Sequence, residues 1–108
     1  MRSKRQNNPQ LEHLLDEYMD MIVTLTHNRL PGATVYLFGS RARKDYSEGA
    51  DIDIAIDAGK KITIDIISEL YNDVEDTDIP VRVDFVDFNR TSPELIEQIE
   101  KEGIVWNK

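Results

Sequence analysis

The stretch YLFGSRARKDYSEGADIDIAID, residues 36–57, decides how this chain is read. Gly39-Ser40 follows a run of strand-forming residues, Thr34-Val35-Tyr36-Leu37-Phe38, and after ten further residues Asp51-Ile52-Asp53 opens another such run through Ile56. In that second run isoleucines alternate with other residues at the period of a strand, so Asp51 and Asp53 project from one face. At about 4 Å and an effective dielectric near 20, two carboxylates repel by on the order of 4 kcal/mol. A divalent cation relieves that repulsion, and the pair reads as a metal site.

The glycine and serine add a phosphate cradle. Ser40-Arg41-Ala42-Arg43-Lys44 reads as the opening of a helix, where free backbone N–H groups attract anions and a glycine lets the backbone come close to them. Arg41, Arg43 and Lys44 bring positive charge to the same turn. The residues alone also allow a plainer reading, in which Asp51 and Asp53 face solvent from a strand and Gly39-Ser40 is a strand-to-helix turn with a cap.

A third carboxylate follows Pro80. In Val81-Arg82-Val83-Asp84-Phe85-Val86-Asp87 the residues Val81, Val83 and Phe85 share one face and Arg82, Asp84 and Val86 the other. Asp84 therefore stands mid-strand on the polar side. Asp87 falls in phase with the apolar set and reads as a terminus or turn residue, the alternative to Asp84 as third carboxylate.

Gly-Ser, ten residues, Asp-x-Asp and a later strand aspartate together resemble the minimal nucleotidyltransferases (MNT) of the DNA polymerase beta superfamily, which are often encoded beside a HEPN partner. The resemblance spans the chain from the helix before Thr34 to the helix after Asp87. It implies a polymerase-beta-like nucleotidyltransferase fold, with Gly39 and Ser40, and Arg41 and Arg43 beside them, binding the nucleotide. It further implies Asp51, Asp53 and Asp84 as catalytic residues that hold two Mg2+ ions, with ATP as substrate. The chain departs from the family pattern at Lys44, where a glycine is frequent, and at Ala50, where a serine is frequent.

Such a site would suit attack of a hydroxyl on an α-phosphorus, with metals stabilising the attacking and leaving oxygens while the protein positions and neutralises charge. Two functions of different kinds follow. One is an Mg2+-dependent transferase that places AMP from ATP on a hydroxyl of a HEPN-type partner, as the antitoxin of a toxin–antitoxin pair. The other is a non-catalytic antitoxin that masks its partner by contact alone.

Composition narrows the setting. With 13 Lys and Arg against 21 Asp and Glu, the formal charge of −8 repels nucleic acid and argues against its direct binding. The chain lacks cysteine, so disulfides and thiolate metal sites are excluded. No apolar stretch approaches the roughly 20 residues of a membrane span, and no signal peptide is read, so a cytoplasmic location is expected. Residues 1–8 read as a disordered tail and 9–108 as a single domain, small enough that the acceptor surface is expected from a partner.

The remaining pattern is helical. Leu11, Leu14, Leu15, Tyr18, Ile22 and Leu25 recur at helical spacing before Leu30-Pro31-Gly32. A second helix is expected over Thr63–Val74 with Ile64, Ile67, Leu70, Tyr71 and Val74 inward. A third spans Pro93–Glu102 between Ser92 as N-cap and Gly103 as stop, and Ile104-Val105-Trp106 forms a short closing strand. The class is therefore α/β in the α+β sense, a small mixed sheet packed on helices. His13 and His27 read as surface residues. Asp73, Glu75, Asp76 and Asp78 read as a solvated acidic loop, because position six of the would-be calcium loop is Asp78 rather than glycine.

Overall fold

The computed structural model describes residues 9–47 and 49–106, with side chains from Leu14 onward. The expected tail over residues 1–8 lies outside the described residues, as does the side chain of His13. Helix α1 spans Pro9–Arg29, β1 Thr34–Phe38, α2 Ser40–Arg43, β2 Ile52–Asp57, α3 Ile64–Glu75, β3 Val83–Asp87, α4 Pro93–Glu102 and β4 Ile104–Val105, with a 3-10 turn at Phe88–Arg90.

The strands form one four-stranded mixed sheet in the order β3-β2-β1-β4. β1 runs antiparallel to β2 and to β4, while β2 and β3 are parallel. A parallel pair needs a crossover longer than a hairpin, and α3 supplies it. Thr63 caps α3 by accepting from the Ile66 N–H at 3.3 Å, and Ser92 caps α4 by accepting from the Leu95 N–H at 3.2 Å. Pro93 at the first turn of α4 costs no hydrogen bond, because that N–H has no partner within the helix.

The sheet is covered on both faces. Ile52, Ile54 and Ile56 of β2 pack with Val35 and Leu37 of β1 against Met19 and Ile22 of α1 and Leu70 and Val74 of α3. On the other face Phe38 and Ala55 meet Ile99 of α4, flanked by Tyr36, Val86, Phe88 and Leu95. Val86, grouped by alternation with the polar face of β3, thus belongs to a second apolar cluster. The two-sided cover buries the centre of β2, Ile54 and Ala55, on both faces, which alternation alone could not show.

Three helix readings are corrected. Ile64, expected inward, is 73% exposed because it stands at the first position of α3, before the helix meets the sheet. Tyr71 is half out, its ring edge set on Phe85 at 5.1 Å and its Oη accepting the Phe85 N–H at 3.0 Å. Asp73 and Glu75 lie on α3 rather than in a loop, and Asp73 holds Arg29 through contacts of 2.6 and 3.0 Å. His27 behaves as a structural residue, its Nε2 donating to the Ala33 carbonyl at 2.8 Å.

Candidate functional site

The sheet register builds the site. Phe38, the last residue of β1, stands opposite Asp53, and Asp53 stands beside Asp84 on the parallel neighbour β3. Asp53 and Asp84 therefore lie on the face that carries Phe38, Ala55 and Val86, at the rim of the part covered by α4. Asp51 sits immediately before β2, two residues from Asp53. The expected trio is brought to one end of the sheet.

Gly39 closes this end from the β1 side. Its backbone has φ 77° and ψ −159°, a region essentially reserved for glycine. A Cβ at this position would run into the Asp53 carboxylate. The turn can lie against the carboxylate only because residue 39 has no side chain, so one glycine satisfies both the backbone and the close approach. Ser40 then begins α2, a single turn of four residues. So short a helix has little macrodipole, and what it offers an anion is its first N–H groups together with Arg43.

The two arginines of α2 take different places. Arg41 is 3% exposed, its Nε donates to the Ala50 carbonyl at 3.0 Å, and its guanidinium lies 4.6 Å from the centre of the Tyr46 ring. It clasps the loop that delivers Asp51. Arg43 reaches outward to Asp45 at 3.0 Å and to Glu102 at the end of α4 at 3.2 Å. Lys44 ends α2 in the left-handed region, φ 68°, which accounts physically for glycine at this place in the family pattern.

Asp87 is not part of the carboxylate group. It is three rows away, beside Ile56, and its side chain is 7% exposed. One carboxylate oxygen accepts the Ile62 N–H at 2.7 Å and the other the Asn89 N–H at 3.0 Å. Of the two candidates only Asp84 neighbours Asp53.

Burial pushes the Asp53 carboxyl above its usual value, and the charges of Asp84 and Asp51 push it further, while Arg43 and Arg82 pull it back. The causes themselves describe a site that favours added positive charge. Arg82, on the same side of β3 as Asp84, already supplies some, donating from Nε to Asp84 Oδ1 at 3.0 Å. Sequence reasoning passed over this residue, although its spacing of two from Asp84 in a strand carried the signal. Among the described residues no three Asp, Glu or His side chains converge into a ready-made coordination sphere. The donor set nevertheless suits a hard divalent cation, being all carboxylate oxygen, mutually repelling and set beside a side-chain-free turn.

Comparison with known proteins bears on the family and the fold. A family model described as Polymerase beta, Nucleotidyltransferase matches residues 20–106, and the chain belongs to that nucleotidyltransferase family. It is 29% identical over 89 residues to a Haemophilus influenzae (strain ATCC 51907 / DSM 11121 / KW20 / Rd) protein named "Probable protein adenylyltransferase MntA", covering 82% of this chain and 78% of that one. A chain in a crystal structure of a toxin–antitoxin with AMP-PNP matches at TM-score 0.70 and 25% identity, covering 85% of this chain and 72% of that one. A chain in the structure of a tri-AMPylated Shewanella oneidensis HEPN toxin with its MNT antitoxin matches at TM-score 0.66 and 28% identity, covering 86% and 70%. No helix among the described residues is long and apolar enough to cross a membrane.

Proposed function

We propose that this chain transfers AMP from ATP to a hydroxyl of a HEPN-type partner protein and so acts as the antitoxin of a toxin–antitoxin pair. The observation that carries the reading is Asp53 placed between Gly39 and Asp84, a carboxylate pair packed against a glycine turn. The name of the Haemophilus relative and the AMP-PNP and AMPylated-toxin complexes of the structural relatives support the choice of adenylyl group and of partner.

Gly39 and Ser40 would cradle the β- and γ-phosphates, with Arg43 as the nearby cation. Asp51, Asp53 and Asp84 would hold Mg2+, which, when bound, polarises the phosphoryl oxygens and stabilises the attacking and leaving oxygens. The acceptor hydroxyl oxygen forms a bond to the α-phosphorus while the bond to the bridging oxygen breaks. The electron pair departs with pyrophosphate, and the proton passes to the Asp84 carboxylate. Arg41 serves by holding the loop before Asp51. The reaction fits a cytoplasmic setting, where ATP is supplied.

Incubation with α-labelled ATP, Mg2+ and a HEPN-type partner is expected to label the partner, and the Asp51→Asn, Asp53→Asn double variant to leave it unlabelled. A double variant that still neutralises the partner fully would instead establish masking by contact. ATP bound no more tightly than GTP or CTP would remove the adenylyl assignment.

A further inference from the structure

Outside the carboxylate end, a cavity of about 640 Å3 opens on the outer edge of β3. Val74 from the end of α3 and Ile79, Val81 and Val83 form its apolar wall, and Glu75 and Arg82 line it as charged groups. Arg82 belongs to both places, since it lines the cavity and donates to Asp84 at 3.0 Å. Tyr71, which also lines the cavity, accepts the Phe85 N–H at 3.0 Å.

The order across the sheet gives this cavity a direction. Gly39 follows β1, Asp53 is on β2, Asp84 is on β3, and the cavity lies beyond β3. In an in-line displacement the attacking and leaving oxygens stand on opposite sides of the phosphorus. With pyrophosphate departing on the Gly39 side, the hydroxyl arrives from the β3 side. The apolar wall of Val74, Val81 and Val83 lies on the α3 face, opposite that of Asp84, so a segment seated there reaches the carboxylates around the β3 edge at Arg82. The loop leaving α3 is acidic there, with Glu75, Asp76 and Asp78 exposed and Arg82 already paired to Asp84.

From this we infer that the cavity receives the acceptor, an extended segment of the partner protein that carries the hydroxyl. An apolar side chain of the segment seats against Val74, Ile79 and Val81, and a basic residue meets the rim of Glu75 and Asp78. The inference rests on the transferase reading above, and it adds where the acceptor docks and what chemistry flanks the hydroxyl. Apolar anchoring would set the depth of insertion, and the acidic rim would select and steer the segment.

The test compares the wild type with a Glu75→Lys, Asp78→Lys double variant, both exposed positions, and with Val105→Lys on the far edge of the sheet as a control. Two quantities are read: calorimetric affinity for AMP-PNP with Mn2+, and kcat/KM for transfer of labelled AMP to a purified HEPN-type protein. The rim variant is expected to bind AMP-PNP as the wild type does, within twofold, and to lose at least tenfold in kcat/KM through KM. The control is expected to keep both. An unchanged kcat/KM in the rim variant, or a loss of AMP-PNP affinity equal to the loss of transfer, overturns the acceptor assignment while the transferase reading stands. A wild type that binds no AMP-PNP and labels no partner overturns both.

Discussion

Gly39 and Asp53 stand so close that a single added Cβ on the glycine would meet the aspartate's carboxylate. The Gly39-Ser40 turn and the Asp53 carboxylate are therefore one packed unit, joined through the antiparallel register of β1 and β2.

Gly39→Ala is expected to destabilise the fold by about 2–3 kcal/mol, combining a glycine-only backbone with the collision on Asp53. Urea unfolding measures the first effect, and calorimetry with AMP-PNP should show nucleotide affinity reduced at least tenfold. A variant as stable as the wild type would show that the turn relaxes and the contact is dispensable.

Asp53→Asn should raise stability while abolishing divalent-cation binding. The folded Asp53 carboxyl is held above its ordinary value, so the folded chain keeps that proton to higher pH than the unfolded one. The stability it contributes is full below the ordinary carboxylate value and declines as pH rises through the elevated folded value. Removing one of the neighbouring like charges is worth about 0.5–1 kcal/mol at neutral pH, or roughly 2–8 °C in melting temperature for a domain of this size. Thermal scans from pH 3 to 8 should show a gain at neutral pH that vanishes toward pH 3. Mn2+ binding by the wild type should tighten over the same rise in pH, because the cation displaces the proton.

Asp87→Ala is expected to cost about 2–3 kcal/mol, since the nearly buried carboxylate accepts from the Ile62 and Asn89 N–H groups. Its Mn2+ affinity should match the wild type's at a temperature where both are folded. The same measurement on Asp84→Asn should show the reverse, a clear loss of Mn2+ binding with little loss of stability.

Arg41→Ala should reduce stability by about 2 kcal/mol, through the lost bond to Ala50 and the lost cation–π contact with Tyr46. If Arg41 served as a phosphate contact alone, nucleotide affinity would fall with the melting temperature unchanged, which differential scanning calorimetry would reveal.

Lys44→Gly is expected to stabilise the chain by about 0.5–1 kcal/mol, because a left-handed φ of 68° strains a lysine and not a glycine. Denaturant midpoints of the two proteins measure this, and no change would mean the strain is absorbed by the loop.

Local chemistry made much of this protein legible before any coordinates. The strand Thr34–Phe38 and the helix Pro93–Glu102 are set by a run of strand-forming residues, a serine cap, a proline and a glycine, all signals within a few residues of each element. The Gly39-Ser40 turn and the same-facing Asp51 and Asp53 depended on spacing alone. Ile64 was misread because helical periodicity does not say where along its length a helix meets the sheet. Alternation places Arg82 and Asp84 on one strand face but does not say that the guanidinium turns along the strand onto the carboxylate, which the surrounding fold decides.

The sequence by itself determined the parts: which residues form strands and helices, which carboxylates share a strand face, and which family pattern they match. Tertiary structure decided the rest. It set Asp84 rather than Asp87 beside Asp53, because parallel register between β2 and β3 is fixed by how both apolar faces pack and not by either strand's own pattern. It also turned Arg41 inward onto the Ala50 carbonyl, a choice that depends on a loop nine residues further along the chain folding back over it.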